Sequence, residues 1–182
     1  MLLKNAILKF KNKNGSSTVE LVNVLFIFLV LLIASVELFS LGYKYISLSS
    51  FANNLAQTVS IQGGIQQSSP KGYETANVSY MKTSDIFNAV DSLADIIRQD
   101  RDSITIKVRY QKTNSNGTVS YNTVTLKDNS NIKIDYGNWF EITVECKLEN
   151  LLAGNLVPID SSLVTISRTK GSVSQFEYNY DL

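Results

Sequence analysis

Glu20 and Glu37 bracket an uncharged apolar run, Leu21 to Val36 (LVNVLFIFLVLLIASV), and their placement demands chemistry. A carboxylate at the centre of a bilayer costs roughly 2.5 to 3.5 kcal/mol on insertion scales, so each needs a partner. Glu20 finds one in its own neighbourhood, Gly15-Ser16-Ser17-Thr18-Val19-Glu20. A cut after Gly15 would leave Ser16 with a free α-amine, and Ser16 and Glu20, at i and i+4, share a helical face. The new ammonium and the carboxylate would then neutralise each other, within one subunit or between neighbours stacked with an axial offset. Assembly would become the step that relieves the charge. Glu37 lies about 25 Å further along a helix, at the outer headgroup level, where it either snorkels into the interface or meets a subunit or partner.

Little else in the chain offers chemistry. With no His and a single Cys, the usual zinc ligand sets, Ser-His or Cys-His catalysis and an internal disulfide are excluded. Asp128-Asn129-Ser130-Asn131 with Asp135 has the composition of a calcium loop but the wrong spacing, and reads as a turn. Asn116-Gly117-Thr118 reads as a hairpin turn rather than a glycosylation acceptor. Glu141, Glu145 and Glu149 line one face of a strand, a solvated face rather than a pair of carboxylates poised in a cleft. No phosphate loop, metal site or cofactor site is expected, nor enzymatic activity. A net charge of +1 removes the electrostatic footprint of a dedicated nucleic-acid binder.

The elements that must position Glu20 and Glu37 are a leader and a long helix. Residues 1–15 carry Lys4, Lys9, Lys11 and Lys13 and no acid, and a membrane-spanning segment follows over about 20–43. Four lysines before the run and Lys44 just after it place the N-terminus in the cytoplasm and the rest of the chain outside. A conventional signal peptide cut near Ser35 is the alternative reading of the same features. Beyond the bilayer Leu41, Tyr45, Leu48, Ala52, Leu55 and Val59 recur at steps of three or four, so the helix continues as an amphipathic one over 16–61.

A glycine, four residues and a glutamate after a short basic leader, then an apolar helix, resembles the class III signal of type IV pilin-like proteins. The variant GSSTVEL, continued through IASVELFSLGYKYISLSSFANNLAQTVSIQGG, is most similar to the TadE/TadF-like minor pseudopilins of tight-adherence systems. The resemblance covers roughly residues 10–64. It implies cleavage between Gly15 and Ser16 by a membrane-embedded prepilin peptidase and an assembly role for Glu20. It also implies other pilin-like subunits and the pilus assembly machinery as partners. Major subunits of that family are typically far shorter, which implies a minor role here.

Residues 62–72, rich in Gly, Ser and Gln, read as a linker to an outward-facing domain over 73–182. A helix is expected over Thr83–Gln99, capped by Ser84 or Asp85, with Ile86, Val90, Leu93 and Ile97 as its apolar stripe. The period then changes to two. Strands are expected over Ile104–Tyr110, Val119–Leu126, Ile132–Tyr136, Phe140–Leu148, Leu163–Thr169 and Val173–Tyr180, the last two divided at Gly171. Cys146 falls on the core face of its strand. The expected fold class is α+β, a long N-terminal helix packed on an antiparallel sheet with one additional helix. The expected role is a minor pilin or pseudopilin subunit. Its rivals are an uncleaved, membrane-anchored extracytoplasmic binding module and a secreted protein.

Overall fold

The structure, a computed structural model, describes residues 2–70, 73, 79–114, 116–148 and 165–177, with side chains from Ser17 onward. Its architecture is α+β: a long N-terminal helix, one further helix and antiparallel sheets. Helix α1 runs without interruption from Leu2 to Gln62, about 90 Å at 1.5 Å per residue. No proline interrupts it. Its outer half buries Leu48, Ala52, Leu55, Ala56 and Val59, the stripe that steps of three and four place on one face. α1 stops where Gly63 takes a φ of +74° and donates its N–H to the Val59 carbonyl at 2.9 Å, a left-handed cap that glycine adopts at no steric cost.

The stretch expected as a linker begins as ordered structure. Strand β1 (Gly64–Ile65) pairs antiparallel with β4 (Ile132–Lys133). A Cβ at Gly64 would collide with the Ile132 carbonyl, and its φ of +150° also favours glycine. Its glycines therefore serve a close strand crossing rather than a flexible tether, while residues 71 and 72 lie outside the described ones. Ile65 is fully buried.

Helix α2 (Thr83–Ile97) buries Ile86, Val90, Leu93, Ala94 and Ile97, as its periodicity predicts. The Asp85 carboxylate accepts the Lys82 N–H at 2.9 Å, whereas Ser84 sits inside the helix. It ends two residues before Gln99, because Arg98 turns left-handed (φ 52°) and its amide and that of Gln99 take the last carbonyls. A 3-10 turn (Arg101–Ser103) leads into β2 (Ile104–Thr113), which pairs with β3 (Val119–Thr125) through the Asn116-Gly117 turn. Strand β5 (Trp139–Lys147) pairs with β2 on one side and β6 (Thr165–Val173) on the other, giving the order β3-β2-β5-β6.

Two strand expectations change. The segment Ile132–Tyr136 contributes only the two residues of β4, because Gly137 (φ +77°) turns the chain toward β5. Strand β6 is continuous through Gly171, which faces solvent and pairs with Glu141. Glycine there leaves room for the Trp139 indole, whose Nε1 would stand 3.4 Å from an added Cβ. Leu163, Tyr178, Tyr180 and Glu149 lie outside the described residues.

The core forms where α1 and α2 cover one face of the sheet. Val108, Phe140, Ile142, Val144, Cys146 and Leu148 are fully buried beneath Leu48, Val59 and Ile86. Cys146, the chain's one cysteine, lies at this face with the Ser103 hydroxyl 3.7 Å from its sulfur.

Candidate functional site: the exposed half of helix α1

The exposed half of α1 is the most unusual surface of the chain. Among the described residues, every large apolar side chain from Val19 to Leu32 stands 46% or more exposed, and Phe39 reaches 80%. Nothing among the described residues covers the large apolar side chains from Val19 to Leu32. The helix is long and apolar enough to cross a membrane, near the N-terminus, and apolar surface on this scale has to be covered by lipid or by another helix. Its Ser35 hydroxyl bonds back to the Leu31 carbonyl at 2.8 Å, a local partner that lets a polar group sit in an apolar stretch.

The predicted site residues divide between two ends of this surface. Gly15, Ser16 and Glu20 fall in one uninterrupted stretch of helix, so positions 16 and 20 share a face as the i, i+4 spacing requires. Gly15 costs that helix about 1 kcal/mol relative to Ala. Glu20 is exposed. Glu37 is half-buried at the opposite end. The two glutamates are not brought together.

Glu37 instead belongs to a charged group where α1 enters the domain. Burial pulls the Lys44 ammonium below the usual lysine range, and the Glu37 carboxylate two turns earlier works against that. Lys44 is only 8% exposed. One residue on, the Arg168 guanidinium lies 4.0 Å from the centre of the Tyr45 ring. Arg168 and Lys170 occupy β6 positions paired with Val144 and Ile142, on the face that α1 covers. Inward-pointing cations on an edge strand discourage pairing with another sheet.

Sequence reasoning missed three side chains here. Lys44 appeared only as an orientation signal and Arg168 not at all, since nothing local shows which face of β6 meets α1. Gln62 was read as the start of a linker. It is fully buried, donates to the Gly64 and Met81 carbonyls at 2.8 and 3.1 Å, and accepts the Met81 N–H at 3.1 Å.

On the opposite sheet face, Glu141 and Glu145 pair across strands with Arg109 (3.5 Å) and Lys107 (2.7 Å). Arg109 also sits 5.2 Å from the Tyr121 ring and 5.9 Å from that of Trp139. This is a cross-strand ladder of the kind that stabilises sheets. The 127–130 segment is a turn, with the Lys127 N–H bonded to the Ser130 hydroxyl at 2.8 Å.

Comparison of the chain with protein-family models, with curated proteins and with solved structures finds no significant match. Function has to be argued from the geometry.

Proposed function

We propose that this chain is a minor pilin-like subunit. In this reading it is anchored by α1 with its N-terminus in the cytoplasm, cut between Gly15 and Ser16 by a prepilin peptidase, and assembled through the exposed half of α1 at a tight-adherence pilus or secretion fibre. The observation that carries the proposal is one unbroken helix with two separate employments. Its outer half is committed to the α+β domain, while the large apolar side chains of its inner half, from Val19 to Leu32, stand exposed among the described residues. A lone anchor needs only lipid around it. The glutamate at the entrance of the apolar run, i+4 from the residue that cleavage would expose, supports helix-to-helix assembly instead.

In this role Gly15 serves because the missing side chain lets a protease subsite approach the scissile backbone. Glu20 serves because its charge selects the register in which helices stack. The domain, packed against α1 from Leu41 onward, would be displayed on the outer side with its exposed sheet face available to other subunits.

The test is intact mass and N-terminal sequencing of membrane-extracted protein from a host with its own prepilin peptidase. A chain starting at Ser16 is expected, and Gly15→Arg should leave the uncut precursor in the membrane. A start at Met1 in the wild type would favour an anchored binding module. A start near Val36 would mean secretion and leave Glu20 without this role.

A further inference from the structure

We infer that the underside of the α+β domain, at the C-terminal end of α2, is seated in the outer headgroup layer and holds phospholipid there. The inference rests on the reading that α1 spans the bilayer, and it concerns a surface which that reading leaves unassigned.

The argument begins with length. A hydrocarbon layer about 30 Å thick takes roughly 20 residues of helix, so a span entered at Leu21 is left near Leu41. Leu41 is also where the domain's core begins, since it is the first apolar residue of α1, among the described ones, packed against the core. The helix is continuous through this point. No spacer separates bilayer from domain, and whatever lies on the domain's lower surface has to meet headgroups.

That surface is built for the encounter. Below the end of α2 a notch of about 620 Å³ opens between the two helices, lined by Phe39, Tyr43, Lys44, Ile96, Arg98 and Gln99. Phe39 (80% exposed), Tyr43 (56%) and Ile96 (53%) are large apolar or amphipathic groups turned outward. Their presence on a water-facing floor is costly, and in an interfacial layer it is favourable, tyrosine especially so. Among the described residues the charged groups lining the notch are cations, the exposed Arg98 and the largely buried Lys44, and Arg98 is the one placed to meet lipid phosphate. Two of the carbonyls that end α2, those of Asp95 and Ala94, are taken by the amides of Arg98 and Gln99, and the Arg98 guanidinium offsets the negative end of the helix. The notch is also continuous with the exposed apolar surface of α1 below it, so acyl chains packed on α1 bring their own headgroups to this level.

The test uses the full chain carrying Cys146→Ala, with one cysteine introduced by Phe28→Cys, Ile96→Cys or Tyr121→Cys and labelled with an environment-sensitive fluorophore. Each chain is reconstituted in vesicles of phosphatidylglycerol and phosphatidylcholine containing lipid brominated near the carbonyl end of its acyl chains. Trp139 emission checks that the domain is folded. The probes at 28 and 96 should lose fluorescence to the brominated lipid, and the probe at 121, at the far end of the sheet, should not. Loss at 28 without loss at 96 would overturn the inference while leaving the span intact; no loss at 28 would overturn the span itself. Arg98→Glu in the chain labelled at 96 should diminish the loss in phosphatidylglycerol-rich vesicles, and an unchanged loss would remove phosphate from the account.

Discussion

The Arg168 guanidinium rests 4.0 Å above the ring of Tyr45, tying the edge strand β6 to α1 one residue beyond the buried Lys44. A cation over an aromatic face is worth about 0.5–1 kcal/mol at exposed sites and about 2 when desolvated. Tyr45 is 43% exposed, so the lower range applies. Tyr45→Phe should change stability by no more than a few tenths, because the ring and not the hydroxyl meets the cation, whereas Tyr45→Leu should lose about 1 kcal/mol. Urea unfolding in detergent, followed by Trp139 emission, reads both. In an Arg168→Met background the Tyr45→Leu loss should shrink, and a coupling of zero in that double-mutant cycle would show that the two side chains merely adjoin.

Gln62 is the second tie, joining the end of α1 to the lead-in of α2. Its amide, fully buried, meets three main-chain groups, two of them on the half-buried Met81. Gln62→Leu keeps the volume but strands the Met81 N–H and two carbonyls, and each buried orphan costs about 1–3 kcal/mol. The expected loss is at least about 2 kcal/mol in urea unfolding. A loss within about 0.5 kcal/mol, ordinary for a surface position, would mean that the site is wet.

The contrast between these ties and the rest of the fold shows what the sequence made legible. Leu48, Ala52, Leu55 and Val59 announce a buried helix face, and Phe140, Ile142, Val144 and Cys146 a buried strand face, because burial on one side imposes a period on the residues themselves. Gln62, Gly64 and Arg168 carry no such period. Gln62 is buried because Met81 and Gly64 satisfy it, and Gly64 is required because Ile132 passes close by; both causes lie far along the chain. Gly171 misled for the same reason. A glycine between apolar residues signals a break, yet here it is the bed for an indole contributed by β5. At the candidate site, the positions of Gly15, Ser16 and Glu20 along one helix were legible from spacing, as was the two-turn step from Glu37 to Lys44, while the burial of Lys44 required the domain to be in place.

Tyr80 gives the domain a dependence on alkaline pH. It is 7% exposed, edge-on to Tyr73 with ring centres 5.0 Å apart, and burial holds its phenol well above the ordinary tyrosine value. A raised folded pKa means that the folded chain binds the proton more tightly than the unfolded chain does. The contribution to stability is therefore whole below about pH 10, where free tyrosine titrates, and is lost as pH rises from there toward the folded value. Stability measured between pH 9 and pH 11 should fall, and Tyr80→Phe should make that fall shallower. Tyr73, displaced in the same direction by burial, supplies part of what remains. Equal slopes in the two chains would remove Tyr80 as the cause.

Glu20 separates insertion from assembly. If its carboxylate exists to meet an N-terminal ammonium, Glu20→Leu removes an insertion cost of roughly 2.5–3.5 kcal/mol at most, so the variant should enter the membrane at least as well as the wild type. What it loses is the register. Cross-linked or co-purified complexes with other pilin-like subunits should drop by at least about tenfold, equivalent to about 1.4 kcal/mol of association free energy. Glu20→Gln distinguishes charge from shape, since it keeps the size and a hydrogen-bonding capacity while discarding the ion pair; it should resemble Glu20→Leu in assembly. Because Glu20 is exposed and remote from the domain core, neither substitution should alter unfolding followed by Trp139. Wild-type levels of complex from both variants would leave the carboxylate without an assembly function, and the exposed half of α1 would then stand as an anchor alone.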